Sequence, residues 1–475
     1  MKILFASSEV YPFSKTGGLA DVAGSLPIAL QTLNVDISVI TPLYKCVKDR
    51  FSVSDTNLIY NIPISTKTEV AKIKKTYLKD VPIFFVENDN YFYRDGLYTD
   101  GTKDYIDNAE RFIFFSKVIA EFCISNNYSI LHLNDWQTAL SAVFLKKTYN
   151  WPGKIILTIH NLGYQGIFLA YDMHLTNLGW QYFTPKLLEF WGNINFLKGG
   201  IYSADAITTV SPHYAKEILT EEFGFGLNGV LKDVEDRFFG ILNGIDYEEW
   251  SPESDRYIAK NYDEKTVTEG KRVCKKDLLN SFELTPEIKK PVFGIISRLV
   301  EQKGWDIIID ALENILQLDA KIVILGSGQR EYEEKLQIIK NKYKYNLGIC
   351  IGYNNALAHK IEAGADFFIM PSKYEPCGLN QMISFKYGTI PIVNPVGGLF
   401  DTVYDLDESK EGNGIRLANY SSEELIKAIN RAINLFKQPL KLFRIRKKIM
   451  KLDYSWTSSA KKYLELYRRL IVDES

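Results

Sequence analysis

The chain has 475 residues, 46% of them hydrophobic and 24% charged, with a formal net charge of −1 at pH 7. This length predicts two or three domains, and the balanced charge argues against nucleic acid or an anionic membrane as the main partner. No apolar run approaches the roughly 18 residues of a membrane span, and Met1-Lys2-Ile3 leads straight into a predicted strand, without a signal-peptide pattern. Five scattered cysteines fit reduced thiols in a cytoplasmic protein.

Short apolar runs alternate with amphipathic stretches along the whole chain. Most runs are rich in β-branched residues and do not alternate strictly, which is typical of parallel strands buried on both faces. The alternation predicts an α/β protein with two doubly wound, Rossmann-like domains that face a central cleft, separated by a polar linker at 246–263. The predicted strands are 3–6, 37–41, 83–86, 130–133, 154–159, 206–210 and 239–242, then 292–296, 321–325, 347–351, 367–370 and 390–393.

A glycine turn, Lys15-Thr16-Gly17-Gly18-Leu19-Ala20-Asp21, joins the first strand to a predicted helix over 19–30. Free N–H groups at a helix start suit an anion such as phosphate, and Lys15 adds a positive charge. A tight turn with a solvated lysine explains the same residues. The pattern recurs at Val396-Gly397-Gly398-Leu399-Phe400-Asp401, after the strand at 390–393. This repeat favours one ligand-binding turn in each of two similar domains.

Polar residues follow many of the predicted strands, where ligands bind in doubly wound folds. Arg298 and Lys303 fit a diphosphate clamp, and a solvent-exposed pair is the alternative. His160 and Asp135 could form a catalytic dyad, although a lone histidine after a strand is more often structural. The polar sets are Asn134-Asp135-Trp136, His160-Asn161, Ser211-Pro212, Asn243-Gly244, Ser297-Arg298, Gly326-Ser327-Gly328 and Pro371-Ser372.

A further strand-to-helix turn is Glu375-Pro376-Cys377-Gly378-Leu379. Glu375 could bond sugar hydroxyls or stabilise a cationic transition state, or it could simply cap the helix. Cys377 is expected to pack rather than act as a nucleophile. No His/Cys cluster has ligand spacing, and Asp405-Leu406-Asp407 lies in a polar turn, so we expect no metal. The loop at 326–328 lacks the third glycine of a dinucleotide fingerprint, which argues against a nicotinamide enzyme.

Three motifs occur in order: Lys-Thr-Gly-Gly-Leu-Ala-Asp at 15–21, His-Asn-x-x-Tyr-Gln-Gly at 160–166 and Glu-Pro-Cys-Gly-Leu at 375–379. With them the chain resembles bacterial glycogen synthases and plant starch synthases almost from end to end. The other matching blocks are 91–98, 107–115, 134–137, 195–200, 208–212, 222–231, 242–247, 297–304 and 387–403.

The resemblance implies a B-type glycosyltransferase fold, with residues 1–245 on the acceptor side and 246–455 on the nucleotide-sugar side. A last helix within 456–475 would cross back to the first domain. The implied reaction moves glucose from ADP-glucose to the non-reducing 4-OH of an α-1,4-glucan, glycogen or a maltooligosaccharide, with retention and without metal or other cofactor. A same-fold transferase that uses UDP-glucose or a small sugar acceptor, or a non-catalytic glucan-binding protein, remains an alternative. Donor preference and oligomeric state stay open.

Residue by residue, the resemblance implies catalytic roles for Glu375, His160, Arg298, Lys303 and Asp135. Arg298 and Lys303 match the family's diphosphate pair, and Tyr353 matches the aromatic that packs on the base. Because Glu375 fits hydroxyl binding better than nucleophilic attack, we expect same-face substitution rather than a covalent intermediate. The implied substrate-binding residues are Lys15, Gly17, Gly18, Asp21, Trp136, Asn161, Asn243, Tyr353, Cys377, Gly378 and Leu379.

Three positions depart from related sequences. Ile383 stands where broader retaining relatives carry a second glutamate, and Asn134 replaces a common histidine. Asn394-Pro395-Val396 lacks a basic residue that the family often has near phosphate or acceptor.

Overall fold

The computed structural model describes residues 1–472, which form two compact units. The first unit comprises residues 1–244 and the helix that begins at Trp456, and the second comprises residues 245–455. Each unit is built on a sheet flanked by helices. The predicted α/β class with two Rossmann-like domains is therefore confirmed. The divisions fall beside the boundaries expected at 245/246 and at 455/456.

The first unit contains a nine-stranded sheet and a small three-stranded antiparallel sheet. Its strands are β1 (Lys2–Ala6), β2 (Asp36–Pro42), β3 (Ser54–Ile64), β4 (Lys67–Leu78), β5 (Val81–Glu87), β6 (Ile130–Asn134), β7 (Lys154–Ile159), β8 (Ile167–Leu169), β9 (Glu189–Phe190), β10 (Asn193–Asn195), β11 (Ala206–Thr209) and β12 (Phe238–Gly240). The large sheet has the order β12-β11-β7-β6-β1-β2-β5-β4-β3, and the small sheet has the order β8-β10-β9.

The helices of this unit alternate with its strands along the chain. They are α1 (Gly18–Thr32), α2 (Lys45–Lys48), α3 (Asp89–Phe92), α4 (Asn108–Ser125), α5 (Trp136–Lys147), α6 (Phe196–Ser203), α7 (Pro212–Glu217) and α8 (Asn228–Lys232). Short 3₁₀ turns lie at Ala170–Thr176, Trp180–Tyr182 and Glu235–Arg237.

The parallel centre of the large sheet places three polar turns side by side. β1 pairs with β2 on one side and with β6 on the other, with Phe5 opposite both Val39 and His132. β6 in turn pairs with β7. These strands are parallel, so their carboxyl ends, which precede Ser7, Asp135 and His160, share one edge.

The sequence prediction missed the antiparallel hairpin of β3 and β4 and the small sheet. β4 reads Lys-Thr-Glu-Val-Ala-Lys-Ile-Lys-Lys-Thr-Tyr-Leu, with Ala71 and Ile73 buried and most of the lysines exposed or half-buried. A strand with one solvent-exposed face and many charged residues lacks the apolar run by which the buried parallel strands were predicted. The hairpin extends the edge of the sheet beyond β5.

The second unit contains a six-stranded, fully parallel sheet of order β15-β14-β13-β16-β17-β18. Its strands are β13 (Val292–Ile296), β14 (Lys321–Gly326), β15 (Leu347–Ile351), β16 (Phe367–Met370), β17 (Ile390–Val393) and β18 (Ile415–Arg416). Its helices are α9 (Val267–Ser281), α10 (Trp305–Leu316), α11 (Arg330–Lys342), α12 (Asn355–Gly364), α13 (Asn380–Tyr387), α14 (Gly397–Thr402), α15 (Ser422–Phe436) and α16 (Pro439–Ile449), with a 3₁₀ turn at Glu301–Lys303.

The last helix, α17 (Trp456–Val472), belongs to the first unit and packs against α1. Tyr467 places its hydroxyl 2.7 Å from Nδ1 of His132 in β6, and Ser459 donates to the carbonyl oxygen of Leu242 at 2.6 Å. None of the helices in residues 1–472 combines the length and apolar character that crossing a bilayer requires.

Candidate active site

The glycine turn of the first unit forms the start of α1, as the sequence predicts. Gly17 is the cap residue and Gly18 is the first helical residue. Lys15 extends its ammonium to Asp21 in the first turn of the helix, with Nζ 2.6 Å from Oδ1. Both side chains keep about a third of their surface exposed. The lysine charge therefore stands at the helix start, next to solvent.

A buried carboxylate that sequence reasoning missed, Glu9, lies beneath this turn. Its Oε2 accepts the backbone N–H groups of Thr16 at 2.5 Å and of Gly17 at 3.3 Å. Its Oε1 accepts the hydroxyls of Thr16 at 2.5 Å and of Tyr98 at 2.8 Å. The N–H groups of Thr16 and Gly17, which precede the first helical residue, are therefore occupied by Glu9. The signal was present in the polar triplet Ser7-Ser8-Glu9, directly after β1.

Asp135 lies in the turn between β6 and α5 with a left-handed φ of 57°, which is rare for a residue with a side chain. Its carboxylate is buried and accepts the backbone N–H of His160 at 2.7 Å. Burial raises the pKa of this carboxyl to about 7, although backbone N–H donors act in the opposite direction. Asp135 can therefore exchange a proton near neutral pH.

The imidazole of His160 forms its hydrogen bond with Asn134 and not with Asp135. The bond between His160 and Asp135, the predicted dyad, is made by the backbone N–H of His160. His160 Nε2 lies 2.9 Å from Asn134 Oδ1, and the amide nitrogen of Asn134 donates to the carbonyl oxygen of Ala6. This orientation of the amide places the proton on Nε2 of His160. Burial lowers the pKa of His160 to about 3, so the ring is neutral at physiological pH.

The remaining predicted site residues of the first unit, Trp136, Asn161 and Asn243, have different surroundings. Trp136 begins α5 and packs its half-buried ring against Phe112, with ring centroids 5.0 Å apart. Asn161 accepts the backbone N–H of Gly163 at 3.0 Å. Asn243 is buried, and its Oδ1 has no hydrogen-bond partner within residues 1–472.

In the second unit, Glu375 is buried with 6% of its surface exposed and is held by two donors on one oxygen. Lys303 Nζ lies 2.6 Å from Glu375 Oε2, and the Ser372 hydroxyl lies 2.9 Å from the same atom. These three residues line a cavity of about 160 Å³ with Ser297, Gly378 and Leu379. The cavity lies at the carboxyl ends of β13 and β16, where doubly wound folds bind ligands.

Arg298 and Lys303 belong to the same turn but have different surroundings. The Arg298 side chain is exposed, with Nη2 3.5 Å from Gln302 Oε1. Its backbone carbonyl accepts the indole N–H of Trp305 at 3.0 Å, which fixes the turn to α10. The predicted clamp therefore consists of one cation bound to Glu375 and one guanidinium that is free to reorient.

The turn after Glu375 is held by a side chain of the following helix. α13 begins at Asn380, so Gly378 and Leu379 precede the helix rather than start it. Gln381 donates its amide N–H groups to the carbonyl oxygens of Cys377 at 3.1 Å and Gly378 at 3.0 Å. The Cys377 thiol is buried, which suits the expected packing role.

The loop at 326–328, which resembles a dinucleotide fingerprint, and the acidic turn at 405–407 both have structural explanations. A Cβ on Gly326 would lie 2.0 Å from the carbonyl oxygen of Ser297, so its glycine permits close backbone packing. Asp405 and Asp407 are both bound by Arg431, at 2.5 and 2.6 Å. The structure groups no three His, Cys, Asp or Glu side chains in metal-binding geometry within residues 1–472. Tyr353 follows β15 with 77% of its surface exposed.

Two Rossmann-like units with cationic turns at their strand ends define the class of B-type glycosyltransferases, and solved structures agree. The catalytic domain of starch synthase IV from Arabidopsis thaliana, bound to ADP and acarbose, superposes with a TM-score of 0.92 at 32% identity, over 99% of each chain. Sucrose-phosphate synthase from Thermosynechococcus elongatus shares the fold, with a TM-score of 0.62 at 16% identity over 99% of each chain.

Sequence comparisons identify the particular family. The starch synthase catalytic domain family model matches residues 2–233, and the glycosyl transferases group 1 model matches residues 279–447. Glycogen synthase from Thermodesulfovibrio yellowstonii is 43% identical, covering 99% of this chain and 98% of its own length. Glycogen synthase from Myxococcus xanthus is 42% identical over the full length of both chains. The chain belongs to the glycogen synthase and starch synthase family of glycosyltransferases.

Proposed function

We propose that the protein transfers glucose from ADP-glucose to the non-reducing 4-OH of an α-1,4-glucan with retention of configuration. The observation that carries the proposal is the buried Glu375 held by Lys303 and Ser372 in a cavity at the strand ends of the second unit. The nearly full-length match to bacterial glycogen synthases supports the glucan product. The ADP in the Arabidopsis starch synthase structure supports an adenine nucleotide as the leaving group.

The leaving diphosphate would be bound by Lys303 and Arg298. The Lys303 ammonium has three donors, of which one bonds Glu375, and the others can reach phosphate oxygens. The exposed guanidinium of Arg298 makes only a long contact with Gln302, so reorienting it toward a phosphate costs little. Two cations that stabilise the developing charge of the leaving group account for a reaction without a divalent metal or other cofactor.

Glu375 would bind the transferred sugar through its second oxygen. Lys303 and Ser372 both contact Oε2, which leaves Oε1 to accept a sugar hydroxyl. A carboxylate bound to a lysine and a serine is a weak nucleophile, so a covalent glucosyl intermediate on Glu375 is disfavoured. Retention would then follow from same-face substitution, in which an oxygen of the departing diphosphate takes the proton of the incoming hydroxyl.

The first unit would contribute acceptors for sugar hydroxyls and a further cation. Asp135, with a carboxyl pKa of about 7, can accept a proton or a hydrogen bond at neutral pH. Neutral His160 and the Asn243 amide oxygen add two uncharged acceptors. Lys15 stands at the start of α1, where a phosphate would also gain from the helix dipole. Tyr353 would pack on the nucleotide base. We further propose a cytoplasmic location, which the free cysteines support.

The experiment is glucose incorporation into glycogen from ADP-glucose and from UDP-glucose, side by side, with EDTA present. We expect strong incorporation from ADP-glucose with EDTA, and α-1,4 linkages in the product by proton NMR. Incorporation only from UDP-glucose would overturn the donor assignment and keep the fold and the mechanism. Loss of activity in EDTA, restored by a divalent cation, would overturn metal independence. Transfer only to a small sugar would overturn the glucan acceptor.

A further inference from the structure

Glu9 is a buried charge whose contacts are all with uncharged donors. Glu9 has 3% of its surface exposed. Among residues 1–472, the hydrogen bonds to its carboxylate come from Thr16, Gly17 and Tyr98. Burying an ionised carboxylate without a cation is expensive unless hydrogen bonds replace its hydration. Four donors on two oxygens provide that replacement.

The position of Glu9 in the sheet connects it to the candidate active site. It follows β1, whose neighbour β6 ends at the Asn134-Asp135 turn. Asn134 donates to the carbonyl oxygen of Ala6, at the end of β1. Burial is the main cause of the raised pKa of Asp135, and the negative charge of Glu9 acts in the same direction. Glu9 therefore contacts the glycine turn from the same edge of the sheet that carries the Asp135 turn.

We propose that Glu9 is a positioning residue, whose carboxylate holds the Thr16–Gly17 backbone so that Lys15 and the first N–H groups of α1 face the diphosphate of the donor. This inference rests on the proposed function for the identity of the ligand. The mechanism is geometric: Oε2 takes the two N–H groups that precede the helix, and Oε1 fixes the Thr16 hydroxyl. The groups left to the ligand are those that begin at Gly18.

The test compares Glu9→Ala with Glu9→Gln in the full-length protein. A glutamine keeps one acceptor for the two backbone N–H groups, and its NH₂ can donate to the hydroxyls of Thr16 and Tyr98 acting as acceptors. The alanine removes both sets of bonds. We expect Glu9→Ala to raise the KM for ADP-glucose at least tenfold with the KM for glycogen unchanged, and Glu9→Gln to stay within about threefold of the wild type.

A second variant and a second readout keep the proposal falsifiable if the alanine protein does not fold. Thr16→Val removes one hydroxyl donor and keeps the backbone, and we expect it to raise the donor KM by roughly threefold to tenfold. Hydrogen exchange of the Thr16 and Gly17 amides should be slow in the wild type and in Glu9→Gln. The same amides should exchange faster in Glu9→Ala.

Two results would overturn the proposal. One is unchanged donor KM and unchanged amide exchange in Glu9→Ala and Thr16→Val. The other is an equal loss of kcat in Glu9→Ala and Glu9→Gln with both KM values unchanged, which is the pattern of a smaller folded fraction. If the wild type transfers no glucose, the proposed function fails by itself, and the exchange measurement still decides whether Glu9 holds the turn.

Discussion

The backbone N–H of Gly398 donates to the carbonyl oxygen of Glu375 at 3.0 Å, which joins the start of α14 to the turn that carries the buried carboxylate. A Cβ on Gly398 would lie 1.9 Å from the carbonyl oxygen of Cys377. The second Gly-Gly turn thus has a packing reason for its glycine, in addition to any role at a ligand. Its place is set by the turn after Glu375, in the same unit.

Gly398→Ala should therefore move the Glu375 turn and reduce activity. A methyl group at this position forces one of two backbones to shift, and misplacement of a catalytic group by about 1 Å can cost on the order of 10²-fold in turnover. The measurement is kcat for glucose incorporation, with a thermal unfolding curve to confirm that the variant is folded. Gly229→Ala is the matched control, because a Cβ there meets nothing within 4 Å. A Gly398→Ala enzyme with wild-type kcat would show that the contact between the two turns does not position Glu375.

Lys303→Ala and Arg298→Ala should lower turnover similarly and differ in stability. Each removes one of the two cations proposed to bind the diphosphate, which we expect to cost roughly 10²–10³-fold in kcat. Lys303→Ala also leaves buried Glu375 without its cation and should lower the melting temperature, whereas Arg298 is exposed and its loss should not.

A nearby lysine provides the control for that pair of variants. Lys373 forms an exposed ion pair with Glu301, and surface pairs contribute little. Lys373→Ala should keep kcat within about twofold and leave the melting temperature unchanged. If Lys303→Ala behaved like Lys373→Ala in both measurements, the diphosphate clamp would be assigned to the wrong residues.

Sequence alone could predict what is local, namely the buried strands and the turns that follow them. The apolar run of β1 is continuous from Ile3 to Ala6, and the runs of β6 and β13 are interrupted only by His132 and Gly294. Polar residues follow each of these runs at once. Contacts between residues far apart in the sequence could not be predicted. Tyr98 and Thr16 both donate hydrogen bonds to Glu9, and no local sequence pattern indicates those contacts. The hairpin of β3 and β4 was missed because its exposed lysines mask the alternation of its buried residues.

The pKa of Asp135 predicts how stability changes with pH. Burial raises the carboxyl pKa from 3.8 to about 7, so the folded state keeps the proton at pH values where the unfolded state has released it. The stability contribution of this group is therefore full below about pH 4 and is lost as pH rises to about 7. The Asp135→Asn variant has no carboxyl at this position and so lacks this loss of stability. The melting temperature of the variant minus that of the wild type should therefore be larger at pH 8 than at pH 5, by a few degrees.

The control for the pH experiment is Asp104→Asn, which makes the same substitution at an exposed aspartate of the same unit. Parallel curves for Asp135→Asn and wild type would mean that Asp135 is already ionised at pH 5. Activity gives a second check. The kcat/KM of the wild type should change across pH 7. The asparagine variant should lose this pH dependence along with most of its activity.

Tyr467→Phe should destabilise the first unit without changing the chemistry. The Tyr467 hydroxyl lies 2.7 Å from His132 Nδ1, and His132 Nε2 lies 2.7 Å from the Thr158 hydroxyl. Burial lowers the pKa of His132 to about 3, so the neutral ring bonds one partner through each nitrogen. Removal of the tyrosine hydroxyl leaves a buried ring nitrogen unpaired, at a cost of about 1–3 kcal/mol.

The melting temperature of Tyr467→Phe should therefore fall by a few degrees, while kcat at 25 °C stays at the wild-type value. Tyr345→Phe, at an exposed tyrosine of the second unit, should change neither quantity. Hydrogen exchange locates the effect, because α17 reaches β6 through this hydroxyl and its amides should lose protection first. Wild-type protection of α17 in Tyr467→Phe would mean that its other contacts, which include packing against α1 and the Ser459 bond to Leu242, hold the helix. The bond to His132 would then contribute no net stability.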